Sequence, residues 1–268
     1  MISLGHFMAA FKETSVSRIS EYVQFVEDMG LAHCAWYRGV GSPSYRLVPS
    51  LYRHKDSGDV DKLHLLELEV YEWFIQRGRI FVDRNILEGS DAIFLMQHYR
   101  IPTRLLDWSE NPFVALYFAL NSCVYNDSGS AVVWILNPAV WNSNALSLLK
   151  ERIPYYEDDA LNGFRIDMSK KTMIAAEKPV AIYGVHNNQR IMAQRGVFTV
   201  FGRLVQPMEE SYAGFPEGKD CLQRVIISRD YVSSMLEMLC SMGYSDSVIY
   251  PDLEGLALEI KKRFGFGG

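Results

Sequence analysis

A helix without a polar face, preceded by a dense polar segment, is the feature that most limits how this chain can fold. Asn111-Pro112 is typical of a helix start, because Asn caps a helix N-terminus and Pro fits its first turn. The residues that follow, Phe113–Asn121, are apolar on all sides, which predicts a buried helix. The segment Gln97–Pro112 before it is crowded with polar groups, which need hydrogen-bond partners when buried. We therefore expect either a structural polar network or the lining of a binding site here.

Hydrophobic spacing predicts helices in the first half of the chain and mostly strands in the second. Helices are expected at 17–29 with Gly30 as cap, at about Asp59–Arg77 with Gly78 as stop, and at Asp91–Tyr99. Short β-branched and aromatic runs predict strands at Ala131–Leu136, Val180–Val185, Val197–Phe201 and Arg224–Ser228. Two further helices are expected, at Tyr231–Met242 between Asp230 and Gly243, and from near Pro251. This order predicts an α+β fold, with N-terminal helices packed on a mostly antiparallel sheet.

Composition and charge exclude several classes of protein. With 268 residues, 49% of them hydrophobic, the chain can bury a large core. Its net charge of -5 predicts no overall attraction to nucleic acid or membranes, although a local basic groove is still compatible with it. No secretory signal is recognisable, and the longest apolar run, Phe113–Leu120, is too short to span a membrane. The 4 cysteines are scattered, so we expect no structural zinc, no disulfide framework and a cytoplasmic location.

Four segments carry residues suited to chemistry, and the first is Tyr37-Arg38-Gly39. A guanidinium between an aromatic and a small residue suits planar, bidentate recognition of phosphate or carboxylate. Gly39 would allow a ligand to approach the backbone closely. The alternative interpretation is an arginine paired with an internal acid at the end of a strand.

The second segment contains His98, Thr103, Arg104, Asp107 and Trp108 within a few turns of chain. His98 suits a base or a structural histidine that has its hydrogen-bond partners. The structural interpretation of Asp107 is that it neutralises Arg104 or caps a turn. The density of functional groups favours a binding site as much as a structural network.

The third segment runs from Arg190 to Val200, where Arg195-Gly196 predicts a turn into a strand and Gln194 adds a polar group. Its alternative interpretation is a hairpin with surface charges. We expect Arg38, Thr103, Arg104, Asp107 and Gln194 to converge on one cleft.

The fourth segment, Tyr250–Leu256, places Asp252 and Glu254 in the first turn of a helix. The helix dipole alone favours acidic residues there, and catalysis is the other interpretation. The chain has no Walker loop, no GxGxxG after a strand and no HExxH, so phosphoryl transfer through a P-loop and Rossmann-type hydride transfer lack support.

These segments, in this order, resemble the FRG domain family, which is named for a Phe-Arg-Gly motif. Here Tyr37 takes the position of the Phe. The resemblance covers roughly residues 30–260, so we treat 1–268 as a single FRG-type domain. The residues that carry it are Tyr37-Arg38-Gly39, the block from His98-Tyr99 through Pro102–Trp108 to Asn111-Pro112 and Ala115–Ala119, then Arg190, Gln194 and Gly196–Thr199, and Pro251–Leu256.

The order of motifs also resembles, more weakly, the layout of ADP-ribosyltransferases, which consume NAD. That likeness implies an Arg on an early strand that contacts NAD, then a Ser/Thr-bearing strand leading into an apolar helix. It also implies a Glu on a later strand, which has no counterpart between Arg190 and Gly196. Asp107 and Glu254 are therefore the candidate carboxylates, and Gln194 is a candidate for orienting a ribose hydroxyl. The implied catalytic residues are Arg38, Asp107, Gln194 and Glu254, and the implied NAD-binding residues are Tyr37, Arg38, Gly39, His98, Thr103, Arg104, Trp108 and Arg190.

The two resemblances together imply a cytoplasmic, metal-independent ADP-ribosyltransferase with NAD as substrate. FRG proteins are bacterial and often associated with defence, so the implied role is a toxin in antiviral defence, with a neutralising antitoxin as partner. The implied target is a nucleic acid, with RNA favoured, or a protein. The alternative hypothesis is a non-catalytic module that binds a nucleotide or a partner, and a nuclease ranks third because no acidic metal cluster stands out.

Overall fold

The computed structural model describes residues 11–29, 34–82, 89–125, 129–165, 174–185, 188–212, 215 and 221–266. The predicted cap Gly30 lies outside these residues. The strands are β1 (Lys12–Val16), β2 (Trp36–Val40), β3 (Leu105–Ser109), β4 (Ser130–Leu136), β5 (Val180–Ile182), β6 (Gly196–Val200) and β7 (Leu222–Ser228). The α-helices are α1 (Ile19–Asp28), α2 (Val60–Gly78), α3 (Gly89–His98), α4 (Pro112–Tyr125), α5 (Pro138–Ala145), α6 (Gln189–Ala193), α7 (Met208–Ser211), α8 (Arg229–Ser241), α9 (Asp246–Ile249) and α10 (Leu253–Arg263).

The described strands form one open sheet of 7 strands in the order β1-β7-β4-β2-β3-β6-β5. Every neighbouring pair is antiparallel except β1 and β7, which run parallel. The prediction of a mostly antiparallel sheet with helices packed on it is therefore confirmed. The predicted separation of early helices from late strands is wrong, because β1, β2 and β3 all precede residue 130.

Helices pack on both faces of the sheet. Alternate residues of the central strands point to opposite faces, and the residues on each face are buried beneath helices. On one face Tyr37 and Val133 pack with α1, α4 and α8. On the other face Trp36 and Trp134 pack with residues of α2, α5 and α7. A third apolar cluster joins α3 and α6 to β3, β5 and β6.

Helix α4 is the predicted buried helix, and it begins as predicted. The Asn111 side chain accepts a hydrogen bond from the Phe113 backbone N–H at 2.9 Å, which caps the helix. Ala115 and Leu116 are 1% and 0% exposed. The helix lies so close to β2 that a Cβ on Gly39 would overlap the Ala115 carbonyl oxygen and the Ala119 nitrogen. Helix packing therefore requires glycine at position 39.

The sheet is weakly joined at its centre. Strands β2 and β3 are paired through Tyr37 and Ser109 alone, whereas β3 pairs with β6 over 5 residue pairs. The sheet thus consists of a β1-β7-β4-β2 half and a β3-β6-β5 half that share one pair of residues. Two of the four sequence segments lie on the strands that flank this junction.

None of the helices in the described ranges is long and apolar enough to cross a membrane. None of the cysteines forms a disulfide, and all four lie in the described part of the chain.

Candidate functional site

A cavity of about 390 Å³ opens at the junction between β2 and β3. We call it the junction cleft. Its walls include residues of β2, β3, α3, α4 and α6, together with Tyr250 from the C-terminal segment. Its volume is in the range that small-molecule ligands occupy. Tyr37, Arg38, Gly39, His98, Asp107, Trp108, Arg190 and Gln194, all singled out from the sequence, line it.

Arg38 bridges the gap where β2 and β3 lack backbone pairing. Its Nη1 donates a hydrogen bond to the Asp107 carbonyl oxygen at 2.5 Å and lies 3.9 Å from the Asp107 carboxylate. Its Nε is buried and has no hydrogen-bond partner among the described residues. Burial lowers the pKa of Arg38, and the neighbouring Asp107 charge acts to raise it. An incompletely satisfied, largely desolvated guanidinium is well suited to bind an anion.

The Asp107 carboxylate is held in place by a chain of hydrogen bonds. Gln97 Nε2 donates to Asp107 Oδ2 at 2.8 Å, and the Thr103 hydroxyl donates to Gln97 Oε1. Thr103 Oγ1 in turn accepts from the Leu105 backbone N–H at 3.1 Å. Because Thr103 fixes which end of the Gln97 amide faces Asp107, the chain sets the position of the carboxylate. Thr103 is 1% exposed and does not line the cleft, so it acts on the site only through Gln97.

Another part of the cleft lining is cationic and aromatic. The Arg190 guanidinium lies 4.3 Å from the centre of the Tyr250 ring, which is a cation–π contact. Burial, followed by the charge of Arg190, lowers the pKa of His98, so His98 is neutral near neutral pH. Arg100 also lines the cleft. Burial raises the pKa of Tyr250, and the charges of Arg190 and Arg100 act to lower it.

Gln194 ties the third segment to the rest of the cleft. Its Nε2 donates to the Ile249 carbonyl oxygen at 3.0 Å, and its own backbone carbonyl accepts from the Ser109 hydroxyl at 2.6 Å. These bonds join the turn before β6 to the end of β3 and to α9. The predicted turn at Arg195-Gly196 is confirmed, because Arg195 has φ 46 and β6 begins at Gly196.

Arg104 lies outside the junction cleft, which corrects its expected place in the site. Its side chain is 2% exposed and pairs with Glu67 at 2.6 Å. It also donates to the carbonyl oxygens of Phe201 and Phe164 at 3.1 and 2.9 Å. All three partners are far from Arg104 in sequence. Arg104 and Glu67 form a buried ion pair, and the two carbonyl oxygens accept hydrogen bonds from the same guanidinium. The expected convergence thus holds for Arg38, Asp107 and Gln194, but not for Thr103 and Arg104.

The fourth segment shapes the chain end and places only Tyr250 in the cleft. Asp252 caps α10 by accepting from the Gly255 backbone N–H at 2.8 Å. A Cβ on Gly255 would overlap the Tyr250 carbonyl oxygen, so this glycine is needed for close packing. Glu254 is exposed and does not line the cleft. The geometry therefore favours Asp107 over Glu254 as the carboxylate of the site.

Sequence reasoning missed Gln97, Arg100, Phe118 and Tyr250 as parts of the cleft. Phe118 and the later residue Asn121 belong to the helix expected to be buried all round, yet both face the cleft. Their spacing of three residues is that of one helix face, which is the signal that could have identified them. In the described ranges, no group of three or more His, Cys, Asp or Glu side chains could hold a metal ion.

Comparison with known proteins finds a family model that matches part of the chain. Residues 33–127 match the model of the FRG domain. The matched span contains β2, β3 and α4 with the first two sequence segments, while the segments at Arg190 and Tyr250 lie beyond it. No curated protein and no solved structure matches the chain.

Proposed function

We propose that the junction cleft binds NAD and transfers its ADP-ribose group to an acceptor, and the match of residues 33–127 to the FRG domain model is the premise of this proposal. The observation that carries the proposal is the meeting of Arg38 and Asp107 where the two halves of the sheet separate. A guanidinium beside a carboxylate in a cleft of this size offers one group for the pyrophosphate and one for the reacting ribose.

In the proposed reaction, the bond between the ribose anomeric carbon and the nicotinamide nitrogen breaks. Its electron pair leaves with nicotinamide, which becomes neutral, and positive charge develops on the ribose carbon and ring oxygen. Asp107 stabilises this oxocarbenium-like state electrostatically. An acceptor nucleophile then attacks the anomeric carbon and loses its proton to solvent or to a base in the cleft.

The remaining residues of the cleft have supporting roles in this proposal. Arg38 holds the pyrophosphate through paired charge-assisted hydrogen bonds. Gln97 and Thr103 keep the Asp107 carboxylate in position. The layout of an arginine strand followed by a strand leading into an apolar helix supports an ADP-ribosyltransferase-like fold.

We extend the proposal to a biological role, on the basis of the FRG resemblance. The protein acts as a toxin in bacterial antiviral defence in the cytoplasm, and an antitoxin neutralises it. Its acceptor is a nucleic acid or a protein.

The proposal is tested by incubating the purified protein with NAD labelled in the adenylate, together with RNA, DNA or cell lysate. Nicotinamide release and label transfer are the expected results. Arg38→Lys keeps the charge but loses the planar fork, so NAD affinity and nicotinamide release should fall sharply. Arg195→Lys is the control, because Arg195 is exposed and does not line the cleft. NAD binding without nicotinamide release would favour the alternative of a binding module, and no binding at all would refute both.

A further inference from the structure

We infer that the junction cleft contains a second phosphate subsite, formed by Arg100 and Arg190, which holds a backbone phosphate of a nucleic-acid acceptor. The inference rests on the proposed function, because it names the class of molecule that receives ADP-ribose. It makes nucleic acid, rather than a protein side chain, the target of the reaction.

The first support is local charge. The chain as a whole has a net charge of -5. The lining of the junction cleft nevertheless contains three arginines, Arg38, Arg100 and Arg190, against one carboxylate, Asp107. His98 adds no charge near neutral pH, since burial and Arg190 lower its pKa. An acidic protein with a cationic cleft attracts a polyanion to that cleft rather than to its general surface.

The second support is the backbone conformation of Arg100. Its φ is 60, and it follows the end of α3 at the position where glycine is usual. Its N–H donates to the Gln97 carbonyl at 3.0 Å, and the Ile101 N–H donates to the Met96 carbonyl at 2.9 Å, so the helix end has the Schellman pattern. An L-residue other than glycine is strained in this conformation. An arginine that breaks this local rule while lining a cleft indicates a use for its side chain.

The third support is that the cationic groups form two separate centres. Arg38 lies on β2, where its Nη1 donates to the Asp107 carbonyl oxygen, whereas Arg190 lies on α6 and contacts the Tyr250 ring. Arg100 lines the cleft from the segment just after α3. NAD carries its two phosphates in a single pyrophosphate, which the first centre binds in the proposed function. The second centre is therefore available for a phosphate from another molecule.

The fourth support is the surroundings of the second centre. Arg190 is pre-oriented by its contact with the Tyr250 ring, so little side-chain freedom is lost when it binds an anion. Tyr250 and Phe118 lie edge to face, with ring centres 6.0 Å apart, and both line the cleft. Guanidinium groups next to aromatic rings are the combination that binds single-stranded nucleic acid.

The test measures binding of a short fluorescent single-stranded RNA without NAD, over a series of salt concentrations. Loss of one phosphate contact reduces the magnitude of the slope of log affinity against log salt by about 0.7 for a single strand. Because both arginines hold the same phosphate, Arg100→Gln and Arg190→Gln should each reduce this magnitude by up to that amount, and the double variant should reduce it by about 0.7 in total. Arg195→Gln is a closely matched control, because Arg195 is also an arginine at positive φ just after a helix, yet lies outside the cleft lining. It should keep the wild-type slope.

Parallel titrations with NAD separate the two sources of phosphate. If Arg100→Gln and Arg190→Gln weaken NAD binding and leave the RNA slope unchanged, the subsite belongs to NAD and the inference is wrong. It is also wrong if the wild-type protein does not bind RNA at low salt. Nicotinamide release by the wild-type protein is measured separately, so failure of the proposed function is distinguishable: release is then absent even where RNA binding depends on both arginines.

Discussion

Replacing Glu67 with leucine should destabilise the protein while leaving the junction cleft intact. Glu67 is the partner of the buried Arg104 guanidinium, at 2.6 Å, and the two side chains are 7% and 2% exposed. Burial acts to lower the pKa of Arg104, but the nearby Glu67 carboxylate has the opposite effect, and the pKa is raised overall. Without Glu67, the guanidinium keeps only its hydrogen bonds to the Phe201 and Phe164 carbonyls and remains charged in the core.

The size of the effect follows from the burial of both groups. Breaking a buried ion pair by removing one partner costs about 3–5 kcal/mol, because it leaves an uncompensated charge. That is a large fraction of the roughly 5–15 kcal/mol by which a typical domain is stable. For a chain of this size, the melting temperature should fall by about 6–20 °C. The double variant Glu67→Leu/Arg104→Met, which removes both charges and restores apolar packing, should recover much of this loss.

The assay is thermal and urea unfolding of the wild type, both single variants and the double variant, with NAD titrated into each folded protein. Single variants that are less stable than the double variant would support a structural role for Arg104. A fully stable Arg104→Met variant with weakened NAD binding would refute this reasoning and return Arg104 to the ligand site.

Three further predictions concern packing, positioning and pH. Gly39→Ala should prevent correct folding or lower the melting temperature strongly, because its Cβ would overlap the backbone of α4, and circular dichroism will show this. Thr103→Val removes the hydrogen bond to Gln97 and so loosens the position of Asp107. A loss of about 1.4 kcal/mol corresponds to a roughly tenfold lower rate of nicotinamide release, with NAD affinity unchanged. A turnover equal to that of the wild type would exclude the positioning chain. Burial lowers the pKa of His64 from 6.5 to about 4. Between these two pH values the unfolded state binds more protons than the folded state, so the free energy of unfolding should decrease as the pH falls through this range. The variant His64→Gln should show a shallower fall than the control His54→Gln, and identical urea-unfolding profiles would contradict the assignment.

The sequence predicted those parts of the fold that depend on local patterns. Helix α4 was predictable because its cap and its apolar composition are contiguous in the chain. Strands β4, β6 and β7 were predictable from short β-branched runs. Strand β1 was not, because its residues Lys12–Val16 are mostly polar and exposed, and it forms only by parallel pairing with a strand some two hundred residues away.

The site was predictable as a set of segments but not as a set of contacts. Arg38 and Asp107 were identified because each combines functional groups with unusual neighbours. No local signal distinguishes Arg104 from Arg38, however, since only the fold reveals that Arg104 faces Glu67 in the core. Arg100 was missed for a similar reason, because its importance depends on a backbone angle that the sequence does not state.

The role of Asp107 is the central chemical claim, and one pair of measurements on Asp107→Asn tests it most directly: the rate of nicotinamide release and the affinity for NAD. A group that stabilises developing charge acts mainly in the transition state, so turnover should fall by roughly 100-fold while the dissociation constant for NAD changes little. The matched control is Glu254→Gln, which removes an exposed carboxylate outside the cleft and should keep wild-type values. Full turnover in Asp107→Asn together with a folded but inactive Glu254→Gln would contradict the account and place the catalytic carboxylate in the C-terminal segment.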